Sequence, residues 1–238
     1  MKVQLDCFPC FLKQAFIALR LGTNNEALQE TILKEITDYI KTADTSMPPA
    51  YTTTFIHRKI RQMLGRDPFG EIKTKYNKLA LELYGKLTNI TSNSENPLLT
   101  ASKLAIAGNV IDFGIFTSID IESTIKRALN NELEVDDSKE FIKSVSETSE
   151  ILYLLDNAGE IVFDRILIET LIKDNKKVKA VVKGSAVIND ATIFDAEEAG
   201  LTGICEVIDN GSDAVGTILQ WTSKTFQEEF NGAQIIIS

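Results

Sequence analysis

The sequence predicts an α/β protein: a helical N-terminal region followed by a Rossmann-like parallel sheet with helices on both faces. Three observations carry that prediction. Before residue 150 the apolar residues recur at helical spacing and no good strand occurs. From residue 151 onward, short β-branched runs alternate with amphipathic segments, the rhythm of right-handed βαβ units. No proline follows Pro97, which suits a region of interior strands and helices. The expected organisation is a helical unit over 1–95, a helical connecting segment over 96–148 and an α/β unit over 149–238.

The first helix covers 7–21, with Phe8, Phe11, Leu12, Ala15, Phe16 and Leu19 in phase and Gly22 as its end. A second fits 25–43. Pro48-Pro49 opens a third, whose inner face is Tyr51, Phe55, Ile56, Ile60 and Leu64 and whose stop is Gly65. A turn over 66–70 leads into a long amphipathic helix over 72–87 that places Lys73, Lys75, Lys78 and Lys86 outside. After a polar linker at 91–95, Pro97 starts a helix over 98–107; the stretch 110–114, which carries Asp112, is too short and mixed to assign. Two helices at 121–129 and 138–145 complete this region. Strands are then expected at 151–155, 178–182, 204–208 and 234–237, with helices at 160–172, 191–199 and 215–230 between them.

Charge and cysteine count exclude several classes. With 25 Lys and Arg against 34 Asp and Glu, the net charge of -9 works against nucleic acid and against an anionic membrane surface. No stretch approaches the roughly 18 apolar residues of a membrane span, and the first ten residues lack a signal-like apolar run, so a cytoplasmic location is expected. Three cysteines are too few for a disulfide framework. Cys7-Phe8-Pro9-Cys10 lacks the preceding strand of a thioredoxin motif, and zinc would need four ligands where only Cys205 and His57 remain. The pair reads as buried or helix-capping cysteines, and His57, beside Ile56 and Ile60, as a partly buried helix residue.

In a parallel sheet the turns after the strands share one rim, where ligands bind. The first such turn brings Asp156, Asn157 and Glu160; the second Lys183, Gly184, Ser185, Asn189 and Asp190; the third Asp209, Asn210, Gly211, Ser212 and Asp213. Three acidic turns suggest a hard cation such as Mg2+ or Mn2+, its shell completed by water and a substrate phosphate. The alternative is that Asp156, Asp190 and Ser212 cap the helices behind them. Helix N-termini after Gly159 and Gly211, with Lys183, would grip an anion. P-loop and dinucleotide glycine patterns are absent, and Ala158 stands where a haloacid-dehalogenase-type phosphatase has its second Asp.

Motifs in this order and spacing run along almost the whole chain: Cys7-x-Pro9-Cys10 with Gln14, Gly65-x-Asp67-Pro68-Phe69 with Lys73 and Asn77, Ala107-Gly108-Asn109-x-Ile111-Asp112-Phe113-Gly114, Asp156-Asn157-Ala158-Gly159-Glu160 with Phe163-Asp164, Asn189-Asp190-Ala191-Thr192 with Asp195, and Asn210-Gly211-Ser212-Asp213. Together they resemble the metal-dependent damage-control phosphatases, most closely the short prokaryotic branch with the two cysteines. The resemblance implies a divalent metal, Mn2+, Mg2+, Co2+ or Ni2+, on Asp156, Asn157 and Asp190, with Asn109 and Asp112 closing the pocket. It also implies that Gly211, Ser212 and Asp213 line the substrate side, and that the substrate is a small phosphorylated metabolite. The metal would polarise the phosphoryl oxygens and either orient a water or assist attack by Asp156, and Asp112, Glu160 or Asp213 would handle protons. Members of the family carry a Lys-Gly motif beyond the last strand, which this sequence does not reach at Ser238. That departure motivates a second reading, a phosphometabolite or nucleotide sensor with the same pocket and no turnover.

Overall fold

The computed structural model describes residues 2–110, 121–131 and 133–238, residue 122 by its backbone alone. Three helices, α1 (Cys7–Gly22), α2 (Glu26–Lys41) and α3 (Pro49–Leu64), close around their own apolar core, in which Phe11, Leu19, Ile32, Ile36, Ile56 and Ile60 are fully buried. Local chemistry sets their ends: Asn25 caps α2 by accepting from Leu28 N at 3.1 Å, and Pro49 occupies the first turn of α3.

Two long helices follow, α4 (Gly70–Ser92) and α5 (Pro97–Val110), then α6 (Ile121–Asn130) and α7 (Ser138–Ser146). The βαβ part runs β1 (Glu150–Leu154), α8 (Glu160–Lys173), β2 (Lys177–Val182), α9 (Ile193–Glu198), β3 (Glu206–Asp209), α10 (Lys224–Gly232) and β4 (Ile235–Ile237). Its strands are all parallel, in the order β3-β2-β1-β4, with Ile151 level with both Val178 and Ile235. Side chains alternate across the pleat. Ile151, Tyr153, Ala180 and Val182 therefore join α4, α5 and α8 in the larger core, while Leu152 and Val181 pack under Phe226 of α10 on the opposite face. Among the described residues no helix is long and apolar enough to cross a membrane.

Two expectations fail for identifiable reasons. Residues 215–230 are not one helix: a loop and a single 3-10 turn (Leu219–Trp221) precede α10, whose N-cap Ser223 accepts from Phe226 N at 3.1 Å. Gly216, at φ 70°, takes a left-handed conformation that interrupts a helix, so no helix begins after Gly211. Lys73 is not outside but 4% exposed, because the α4 face that carries it meets α9 and its ammonium pairs with Asp195 at 2.7 Å.

His57 is also more buried than expected, at 2% exposed, and among the described residues its Nε2 has no hydrogen-bond partner. Burial first, then the Arg61 charge, lowers its pKa from 6.5 to about 4. The unfolded chain therefore binds a proton in a pH range where the folded one does not. His57's contribution is complete above about pH 6.5 and is lost as pH falls towards 4, by on the order of 3 kcal/mol. Urea midpoints of the wild type should drop more steeply between pH 7 and 4.5 than those of His57→Phe; parallel curves would contradict this.

Candidate active site

The strand β1 ends at Leu154, and the next turn is stitched to the turn after β2 by backbone hydrogen bonds. Ala158 N donates to Asn189 O at 2.8 Å, Ala191 N donates to Asp156 O, and Asn157 and Asp190 form an isolated antiparallel bridge. This zipper sets Asp156, Asn157 and Asp190 side by side. Gly159, at φ 83°, reverses the chain into α8, and its N–H donates to Asn77 Oδ1 at 2.7 Å, so α4 braces the turn from behind. The N-caps of α8, α9 and α10 are Gly159, Thr192 and Ser223. Asp156, Asp190 and Ser212 are therefore not caps, and the alternative reading of the acidic turns loses its basis.

From the helical side, α5 lies close enough to α8 that a Cβ on Gly108 would come within 2.9 Å of Phe163 Cβ. That approach delivers Asn109, whose Nδ2 donates to both Glu160 oxygens at 3.1 Å and lies 3.4 Å from Asp156 Oδ2. The amide of Asn157 does likewise, 2.9 Å from Asp156 Oδ2 and 2.8 Å from Glu160 Oε2. One turn further along α8, the fully buried Asp164 accepts from Tyr153 OH at 2.7 Å. Asn109, Asp156, Glu160, Asp164 and Lys183 all line one cavity of about 990 Å³.

Burial dominates the electrostatics of the site. Burial pushes Asp190 up to about 7 against the opposing Lys183 charge, with Asp156 adding to the rise. Burial likewise raises Glu160 and, more strongly, Asp164. Lys183 touches Asp190 Oδ2 at 3.3 Å, and its ammonium also donates to Ala214 O at 3.0 Å and to Gly216 O. Asp156, Asp190 and the Asn157 amide oxygen are hard donors, in the number that leaves room for water and substrate oxygens around an octahedral ion. Among the described residues, no three His, Cys, Asp and Glu side chains group to hold an ion by themselves. The amide and exogenous oxygens would therefore complete any shell.

The third turn is built differently from its neighbours. Gly211 N donates to Asp209 Oδ1 and Ser212 N to Asn210 Oδ1, while Ser212 O accepts from Gly184 N at 2.9 Å. Asp213 faces α3, where Arg58 and Arg61 hold it; burial raises its pKa, but those partners outweigh burial and leave it lowered. Gly184 has no room for a side chain, since a Cβ would lie 2.7 Å from the Gly211 backbone and from Ser212 N. Gly184→Ala is expected to destabilise the fold by about 1–3 kcal/mol. Gly203→Ala, with nothing within 4 Å, is the control; equal melting temperatures for the two variants would refute the contact.

Asp112 lies outside the described residues. Cys7 is half-buried and Cys10 exposed in the first turn of α1, whose N-cap is Asp6, so the reading as buried or helix-capping cysteines does not hold for Cys10; their sulfurs accept from Gln4 N and Gln14 Nε2. The sequence does not single out Thr54, Arg58, Arg61 or Tyr153, and it marks Lys73, Asn77 and Asp164 only as motif members without a role. The periodicity holds a further signal for Lys73 and Asn77, which are four residues apart and in phase with buried Ala80, polar residues on an apolar stripe.

The damage-control phosphatase ARMT1-like domain model matches residues 3–238. An uncharacterised protein of Methanocaldococcus jannaschii is 38% identical over 245 residues, covering 100% of this chain and 80% of that protein. A protein named damage-control phosphatase from Pyrococcus horikoshii is 35% identical over 243 residues, 100% of this chain and 83% of the relative, and one from Archaeoglobus fulgidus is 31% identical, with 100% and 84% covered. The crystal structure of a DUF89 family protein from Pyrococcus horikoshii superposes with a TM-score of 0.90 at 34% identity, covering 100% of this chain and 84% of that one. With the fold and the matched model extending over nearly every residue, the chain belongs to the damage-control phosphatase ARMT1-like family.

Proposed function

We propose that the protein is a metal-dependent phosphatase hydrolysing a small phosphorylated metabolite, a sugar phosphate or a damaged metabolite, in the cytoplasm. The observation that carries this reading is the zipper of the first two rim turns, which sets Asp156, Asn157 and Asp190 together, with Asp156, Glu160 and Lys183 lining a cavity of about 990 Å³. The names of the Pyrococcus and Archaeoglobus relatives support the reaction class. Asp156, Asn157 and Asp190 would hold Mn2+, Mg2+, Co2+ or Ni2+, which when bound would polarise the phosphoryl oxygens.

The remaining steps belong to the chain's own groups. Asp156 is the exposed carboxylate of the set, open to attack phosphorus itself or to orient a water. Glu160, raised by burial, is suited to give a proton to the leaving oxygen. Asn109 lines the cavity beside Glu160, and Lys183 offsets negative charge at Asp190. Phosphate release from a panel of sugar phosphates, with each metal and with chelator, tests the reading. Turnover should require the metal and stop on chelation; activity indifferent to chelator would overturn it.

A further inference from the structure

The loop over 210–218 is tied to one face of α3. Thr54, Arg58 and Arg61 lie four and three residues apart, hence on one helix face. Thr54 Oγ1 accepts from Val215 N at 3.0 Å. Arg58 Nε donates to both Asp213 oxygens at 2.9 Å, its Nη2 donates to Oδ1, and Arg61 Nη2 reaches Oδ2 at 2.6 Å. The Arg58 guanidinium is further pinned against Phe55 and Trp221, 5.2 Å from each ring centre. Fork-shaped guanidinium contacts of this kind fix geometry as well as charge.

What the latched loop then does is aim a lysine. Its carbonyls at Ala214 and Gly216 take two of the three donors of the Lys183 ammonium. The third is left 3.3 Å from Asp190 Oδ2, long beside the roughly 2.7–2.9 Å of a close ammonium–carboxylate contact. We infer that Thr54, Arg58 and Arg61 are positioning residues for the cation site: by latching residues 213–216 they hold the Lys183 ammonium back from Asp190 and leave that carboxylate open to a divalent ion. This rests on the metal site of the proposed function. Released from the latch, the lysine closes on Asp190 and competes with the ion.

The test is calorimetric titration of the full chain with Mn2+ alone, on variants whose fold is checked by circular dichroism. Arg58→Gln/Arg61→Gln is expected to bind Mn2+ about 10-fold less tightly or worse, the usual scale for partners that orient metal ligands. Arg58→Lys, which keeps charge but not the fork, should lose less. In a Lys183→Met background the two arginine substitutions should no longer matter, because the competing ammonium is gone. A purely structural latch would lower the melting temperature and leave Mn2+ affinity unchanged, or would weaken binding with or without Lys183; either outcome overturns the inference. Should the double variant not fold, Thr54→Val, neutral in charge, is read by the same comparison. A wild type that fails to bind Mn2+ overturns the metal reading itself and this inference with it, whereas a binding wild type with equally tight variants overturns the latch alone.

Discussion

Asp156→Ala is expected to release phosphate about 10³-fold more slowly than the wild type at saturating metal, within the roughly 10²–10⁴-fold that a group activating the attacking water supplies. The fold should survive, because Asp156 is exposed and its side-chain partners are the Asn109 and Asn157 amides. Asp190→Ala should lose as much activity and also stability, since it strips the carboxylate from a buried lysine. Phosphate release measured beside thermal melting separates the two: one variant inactive and stable, the other inactive and weakened. If Asp156→Ala kept more than a tenth of the wild-type rate, the site assignment would be wrong.

The second large effect lies behind the site. Lys73 and Asp195 form an ion pair at 2.7 Å with both side chains 5% exposed, and Asp195 also accepts from Asn77 Nδ2 at 3.0 Å, from Thr192 N at 2.8 Å and from Thr192 Oγ1 at 2.7 Å. Removing one member of a buried pair strands the other, so Lys73→Met is expected to cost about 3–5 kcal/mol in urea unfolding. Adding Asp195→Asn should recover part of that cost, because no unpaired buried charge remains. Activity should fall too, since the same network, through Asn77, holds Gly159 N and with it the turn carrying Asp156. An unfolding midpoint within error of the wild type would exclude the pair as a structural element.

Much of this was readable along the chain. The five-residue apolar run before Asp156, the helix behind Gly159 and the strand–helix alternation are local patterns, set by side-chain periodicity, and the sheet follows them closely. The rim residues Asp156, Asn157, Glu160 and Asp190 were legible for the same reason: parallel strands must end on one edge. Lys73 was misread because an amphipathic pattern registers polarity and not the carboxylate waiting across an interface. The loop after Gly211 was misread because apolar spacing over 215–230 imitates a helix, whereas the left-handed Gly216 and the Ser223 cap place its start at Lys224.

By itself, then, the sequence determined the α/β class, the strand ends and the acidic character of the rim, all consequences of contacts between near neighbours. Only the tertiary structure decided which acids gather at the rim and which are drawn away from it. Asp156 and Asp190 come together through a backbone zipper, whereas Asp213, equally acidic on paper, is taken by Arg58 and Arg61 from 155 and 152 residues away. A carboxylate's role depends on the charges and the burial around it, and those are properties of space rather than of position in the chain.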